Sequence, residues 1–251
     1  MTHGRIRHRQ GPVRVVDGVP YPNRDTTLSL LPGAVVGRWL ASRSADVGGT
    51  LLDLGAGNQP FRPWYARKAQ RVVAVDAAPL PGLNVVSLAA PLPFRDASFD
   101  SILCTSVLEH VENAEHAVAE MARVLRPGGR LLITVPFLYP EHEAPYDFWR
   151  TTHHGLRSVL ERHGLVVDDL SAQGGPFLLL AHYVILALVQ AIGLVAGKLG
   201  ARGGALDNRL LQALIAAPQE AMRTRVSYDL SPMARIASLG YLAAAHKPAA
   251  D

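Results

Sequence analysis

Two groups of residues have types and spacing that suit chemistry. The first is Asp53-Leu54-Gly55-Ala56-Gly57-Asn58, followed about twenty residues later by Asp76. Glycines let a backbone approach a ligand where a Cβ would clash. A carboxylate accepts two hydrogen bonds from neighbouring hydroxyls, which suits a ribose diol. The second group is Phe137-Leu138-Tyr139-Pro140-Glu141-His142-Glu143-Ala144-Pro145-Tyr146-Asp147-Phe148-Trp149-Arg150. In it His142 is able to take a proton near neutral pH, and Asp147 or Glu141 to orient the ring. Tyr139, Tyr146, Phe148 and Trp149 offer an apolar wall or a platform for a sugar. The plain alternative is a structural loop tied down by an Arg150–Asp147 pair. Glu141, His142, Glu143 and Asp147 are also metal-ligand types, but their spacing matches no metal-binding pattern, so no metal is expected.

These residues need elements to hold them. Leu51–Leu54 reads as a buried strand, and Val72–Asp76 as a second one ending in the acid. A strand, a glycine turn, a helix and a strand ending in an acid form a nucleotide-binding βαβ unit. Residues 84–88, 101–105, 130–136, 166–170 and 236–246 supply five further strands. Leu28–Ala41, Ser106–Leu125 and a helix capped by Thr152 and ended by Gly164 alternate with them. The expected fold is α/β, a doubly wound, seven-stranded, mostly parallel sheet. Residues 1–27 are broken by Gly11-Pro12, Gly18, Pro20 and Pro22, and read as an arm or a lid. Residues 28–251 form the domain. Within it, 176–226 reads as a helical insertion: Phe177–Leu199, a turn at 201–204, then Leu206–Ala217. Tyr21 and Tyr65 are placed to lie over a ligand, or else to pack.

Composition narrows the function. At 251 residues, 49% hydrophobic and 18% charged, the chain suits one sizeable core. Net charge is +4, thickest at Arg5, Arg7, Arg9 and Arg14, with no basic stripe interleaved with aromatics, so no nucleic acid is expected. The single Cys104 lies in an apolar run and reads as a buried core residue in a reducing compartment. With no apolar leader, a cytoplasmic protein is expected. The apolar run 177–197 approaches a membrane span in length, but His182, Tyr183 and Gln190 interrupt it. A cover helix or a homodimer surface is expected ahead of membrane contact.

In order along the chain, Asp53-Leu54-Gly55-Ala56-Gly57, Asp76, the stretch from Leu92-Pro93-Phe94 to Phe99-Asp100, and Leu125-Arg126-Pro127-Gly128-Gly129-Arg130-Leu131 resemble the motifs of class I S-adenosylmethionine-dependent methyltransferases. The nearest group within that class is related to the ubiquinone-pathway enzymes. The resemblance implies a Rossmann-like fold and S-adenosylmethionine as cofactor, held by Asp53, Gly55, Ala56, Gly57, Asp76, Ala77, Ala89 and Thr105. Where the family often carries an acid for the adenine, this chain has Leu88. Adenine recognition then falls to backbone near Ala89 or to water. Glu109-His110 also resembles a family pattern, with His110 ordering the cofactor edge.

The activity expected is O-methylation of a saccharide hydroxyl in a polysaccharide or glycolipid precursor, of the kind found in actinobacterial glycan pathways. His142 acts as general base with Asp147 and Glu141, and Tyr21, Tyr139, Tyr146 and Trp149 line the small-molecule or oligosaccharide acceptor. Two other readings remain: methylation of a quinone or polyketide ring, and a cofactor-binding partner subunit that transfers nothing.

Overall fold

The computed structural model describes residues 14–16, 18–21, 30–198 and 232–249. Seven strands form the main sheet: β3 (Thr50–Leu54), β4 (Arg71–Asp76), β5 (Val85–Val86), β6 (Phe99–Thr105), β7 (Leu125–Pro136), β8 (Val166–Ala172) and β9 (Gly240–His246). Their order is β5-β4-β3-β6-β7-β9-β8, with β9 antiparallel to both neighbours and the other pairings parallel. The chain winds outward from β3 to β5, then returns to place β6 on the other side of β3. That reversal opens a crevice beyond the carboxyl ends of β3 and β6, where open α/β sheets bind ligands.

Alternation along the central strands feeds two cores. Leu52, Leu54, Ile102, Cys104, Leu131 and Ile133 face α3 (Ala114–Val124) and α4 (His153–Arg162). Leu51, Leu103 and Leu132 face the opposite way, onto Trp39 and Leu40 of α1 (Leu30–Ser42) and onto Trp64 and Tyr65 of α2 (Arg62–Tyr65). Cys104 is fully buried, as its sequence context predicts. Burial pushes its thiol pKa far up.

Three elements differ from the sequence reading. The continuous helix expected over 106–125 is broken: Ser106 takes a left-handed backbone (φ 53°), Leu108–His110 forms a single tight turn, and α3 starts afresh where Asn113 accepts a hydrogen bond from the His116 N–H. The break turns Glu109 and His110 toward the carboxyl edge. The second difference is in the N-terminal arm, which contains a hairpin of β1 (Arg14–Val16) and β2 (Val19–Tyr21). Gly37 of α1 is what admits it, since a Cβ there would lie 1.6 Å from the Pro20 carbonyl oxygen. Third, Arg130–Pro136 is the end of a longer strand, because Leu125 already pairs with Phe99.

Thr152 caps α4 as predicted, accepting from the Gly155 N–H. The apolar run becomes α5 (Pro176–Lys198), directly after β8, and α6 (Pro232–Ile236) leads into β9. The expected turn at 201–204 and helix over 206–217 lie outside the described residues. No helix among the described residues is long and apolar enough to cross a membrane. Phe177, Leu180, Val184, Leu188 and Leu194 nonetheless form an exposed stripe along α5.

Candidate active site

The loop after β3 is held by backbone bonds and by one acid. Ala56 donates its N–H to the Val75 carbonyl at 2.9 Å, locking the turn against β4. Asp76 accepts from the Gly57 N–H at 2.8 Å and from the Ala78 N–H at 2.9 Å. A carboxylate offers about four acceptor directions, so one group braces the turn and also suits a ribose diol. Gly55 is required twice over. Its φ is +67°, and a Cβ would sit 2.2 Å from Cγ2 of Val107. Close approach of the glycine turn to Val107 joins the loop after β3 to the loop after β6.

Asp53 is engaged within the fold. It is 5% exposed, and its Oδ2 accepts the Tyr65 hydroxyl at 2.5 Å. Burial raises its pKa to about 7, against the lowering effect of Tyr65 and with a further push from Asp76. Tyr65 is therefore a packing residue, the second of its two expected roles. Tyr21 ends β2, and its side chain lies outside the described residues. Ala77 is exposed beside Asp76, Leu88 is exposed, and Ala89 is buried. The segment carrying Ala89 is clasped to α3. Glu120 accepts from the Leu92 N–H at 2.6 Å, and Arg123 donates to the Leu92 and Phe94 carbonyls and to Asp96. Sequence reasoning missed this clasp, because an i,i+3 Glu–Arg pair on a helix looks like a solvated surface pair.

On the other side of the crevice, Thr105 ends β6, and the Ser106 N–H donates to the carbonyl and hydroxyl of Thr134 on β7. This brings the loops after β6 and β7 together. Phe148 N–H donates to the Glu109 carbonyl at 2.7 Å, and His110 Nδ1 meets the Tyr146 carbonyl at 2.7 Å. The His142 ring lies 4.9 Å from the His110 ring and 5.4 Å from Tyr139, which stacks on His182.

Asp147 holds this loop. It accepts from the His142 N–H at 2.9 Å, receives the Arg150 guanidinium through both oxygens, and lies 3.4 Å from His142 Nδ1. Burial alone would raise its pKa; the Arg150 and His142 bonds bring it below the usual value. The Arg150–Asp147 pair is present, as the structural reading of the loop anticipates. Glu141 is exposed, so the orienting contact falls to Asp147. Burial, with His110 nearby, lowers the His142 pKa, keeping the imidazole neutral near pH 7. Tyr146 is half-buried over the loop. Trp149 packs into the main core and lines a surface cavity with Glu115, Thr151 and Arg162, on the α4 side of the loop.

Glu109 is the largest surprise. It is fully buried, no other residue among those described hydrogen-bonds either carboxyl oxygen, and burial raises its pKa to about 8 against the lowering effect of its own backbone N–H. The available signal was an acid between Leu108 and Val111 in an otherwise apolar run.

A methyltransferase-domain family matches residues 52–133, from β3 into β7. An uncharacterised methyltransferase of Mycobacterium marinum is 36% identical over 109 residues, covering 38% of this chain and 43% of the relative. One of Mycobacterium tuberculosis is 31% identical over 141 residues, covering 49% and 56%. The chain spans about half the length of the curated relatives it matches. Among solved structures, the (4+2)-cyclase SpnF superposes with a TM-score of 0.58 at 19% identity, covering 96% of this chain and 89% of that one. A candidate sarcosine dimethylglycine methyltransferase from Galdieria sulphuraria gives 0.52 at 20% identity, covering 84% of each. Likeness at this level establishes the fold, and a cyclase among the neighbours shows that the fold alone does not choose the reaction. The matched family narrows this further: residues 52–133, which hold the glycine turn, Asp76 and the loop after β6, resemble a methyltransferase domain.

Proposed function

We propose that this chain methylates an oxygen, most simply a saccharide hydroxyl of a polysaccharide or glycolipid precursor. The observation that carries this reading is the state of His142. Its Nδ1 is engaged at 3.2 Å with the Pro140 carbonyl and lies close to Asp147, which leaves Nε2 as the proton-accepting nitrogen. The depressed pKa keeps that nitrogen unprotonated near neutral pH. S-adenosylmethionine supplies an already activated methyl group, so the chain has to align the acceptor and exclude water. An alcohol must also lose its proton as the new bond forms, and His142 takes it on Nε2. Asp147 positions the imidazole, and Tyr139 and Tyr146 offer ring faces to a sugar.

The exposed apolar stripe on α5 favours a lipid-linked acceptor and keeps a flat apolar ring as the second reading. Radiolabelled methyl transfer to soluble sugars, lipid-linked sugars and apolar rings separates them. Product on sugars supports the first reading, and product on rings alone replaces it. A chain that binds the cofactor and transfers to none of the three is the non-catalytic partner subunit. His142→Ala is expected to lower kcat by about 100-fold or more with cofactor affinity unchanged. An unchanged kcat removes His142 as the base.

A further inference from the structure

The three polar groups nearest the crevice on the β6–β7 side do not satisfy one another. Glu109 Oε1 lies 3.9 Å from His110 Nε2 and 3.9 Å from His142 Nε2. Those separations are too long for hydrogen bonds. They suit atoms that share an ion: ligands bound at about 2.0–2.2 Å and at tetrahedral angles are separated by roughly 3.4 Å. Closing the two Glu109–histidine edges therefore takes about half an ångström. All three ligand atoms lie within 4.8 Å of one another. Both imidazoles are held from behind, His110 Nδ1 by the Tyr146 carbonyl and His142 Nδ1 by the Pro140 carbonyl. Such contacts fix the N–H on Nδ1 and aim the Nε2 lone pair inward, as in histidines that ligate metals. Glu109 completes the set with a buried, unpartnered carboxyl, which is costly unless something occupies it.

We propose that Glu109, His110 and His142 bind a divalent transition-metal cation. Two imidazoles and one carboxylate with open positions suit zinc, iron(II) or manganese, whereas magnesium and calcium prefer all-oxygen shells. The cation's presence rests on this geometry alone. Its role rests on the hydroxyl-acceptor reading above: with a cation bound, His142 Nε2 would be a ligand, and an acceptor hydroxyl made more acidic by the cation would lose its proton to solvent.

The test is calorimetric titration of the chelator-stripped full chain with Zn²⁺ and with Mn²⁺, each alone, with Mg²⁺ as the hard-cation control. Saturable uptake of one Zn²⁺ or Mn²⁺, weakened at least about tenfold in Glu109→Gln and in His110→Ala, supports the site. Retained S-adenosylmethionine binding reports that each variant is folded. No saturable uptake of either ion by the unaltered chain overturns the proposal, as does uptake unchanged in a folded Glu109→Gln. Should the variants fail to fold, X-ray absorption on the loaded unaltered chain decides: imidazole scattering in the metal's shell supports the site, and an oxygen-only shell overturns it. Methyl transfer plays no part in this readout, so loss of the saccharide reading leaves the result standing.

Discussion

Two buried acids on opposite sides of the crevice, Asp53 and Glu109, are treated in opposite ways. Asp53 on the β3 side is closed off, its Oδ2 taken by the Tyr65 hydroxyl at 2.5 Å. Glu109 on the β6 side is equally buried, and no other described residue hydrogen-bonds its carboxyl. Burial raises both pKa values, to about 7 and about 8. A polar group braced by its own chain is scaffold. A polar group that the fold surrounds and leaves unpaired marks where something else binds. The fold thus braces the acid beside the glycine turn and leaves the one beside His110 and His142 unbraced.

Gly55 is where the two sides touch, and altering it is expected to have the largest effect. Gly55→Ala puts a Cβ against Val107, directly before Leu108-Glu109-His110, at a backbone angle that L side chains rarely adopt. The left-handed backbone costs about 1–2 kcal/mol, and overpacking about 1–3 kcal/mol more. Chemical denaturation should show a loss of roughly 2–5 kcal/mol, with weakened S-adenosylmethionine binding. Adding Val107→Ala should restore the overpacking share and leave the backbone share. Full restoration would mean that the positive φ is not required.

The same division explains what was legible in the sequence. The cofactor side is local: glycines demanded by backbone geometry, an acid at a strand end and apolar runs of strand length all show in order along the chain. The bond between Asp53 and Tyr65 was not legible, because Tyr65 lies on the following helix and faces inward. The acceptor side is built from two loops joined across β6 and β7. The loop after β7 looked rich in chemistry, and His142 and Asp147 were found. Glu109 reads only as part of a family pattern beside His110, with no role of its own, because its burial depends on the broken helix at Ser106, and a periodicity count runs straight through that break. The arm hairpin was hidden for a related reason: Gly37 looks like a blemish in α1 until Pro20 is packed on it.

Tyr65→Phe makes the cofactor side resemble the acceptor side. It leaves Asp53 buried without its donor, at a cost of about 1–3 kcal/mol. The pH dependence should change as well. Asp53 is raised from 3.8 to about 7, so its proton is held more tightly by the folded chain. Its contribution to stability is complete below about pH 4 and is lost as pH rises through about 7. Removing the Tyr65 hydrogen bond, which lowers the pKa, moves the folded value up and extends the decline to higher pH. Urea melts from pH 4 to pH 9 on both chains test this, and parallel curves would show that the hydroxyl does not govern Asp53.

The smallest effect should also have the opposite sign. Glu109→Met replaces an unpartnered buried acid with an apolar side chain of similar length, removing a desolvation cost and adding packing. In chelator the variant should be more stable by about 1 kcal/mol, a rise in Tm of roughly 2–4 °C for a chain of this size. Adding zinc should reverse the order. A ligand that binds only the folded state stabilises the unaltered chain in proportion to the logarithm of its concentration, while the variant, lacking one of three ligands, gains little. A variant less stable than the unaltered chain in chelator would show that Glu109 already has a partner within the fold. The two buried acids would then be two versions of the same scaffold, and the contrast between the sides of the crevice would rest on the histidines alone.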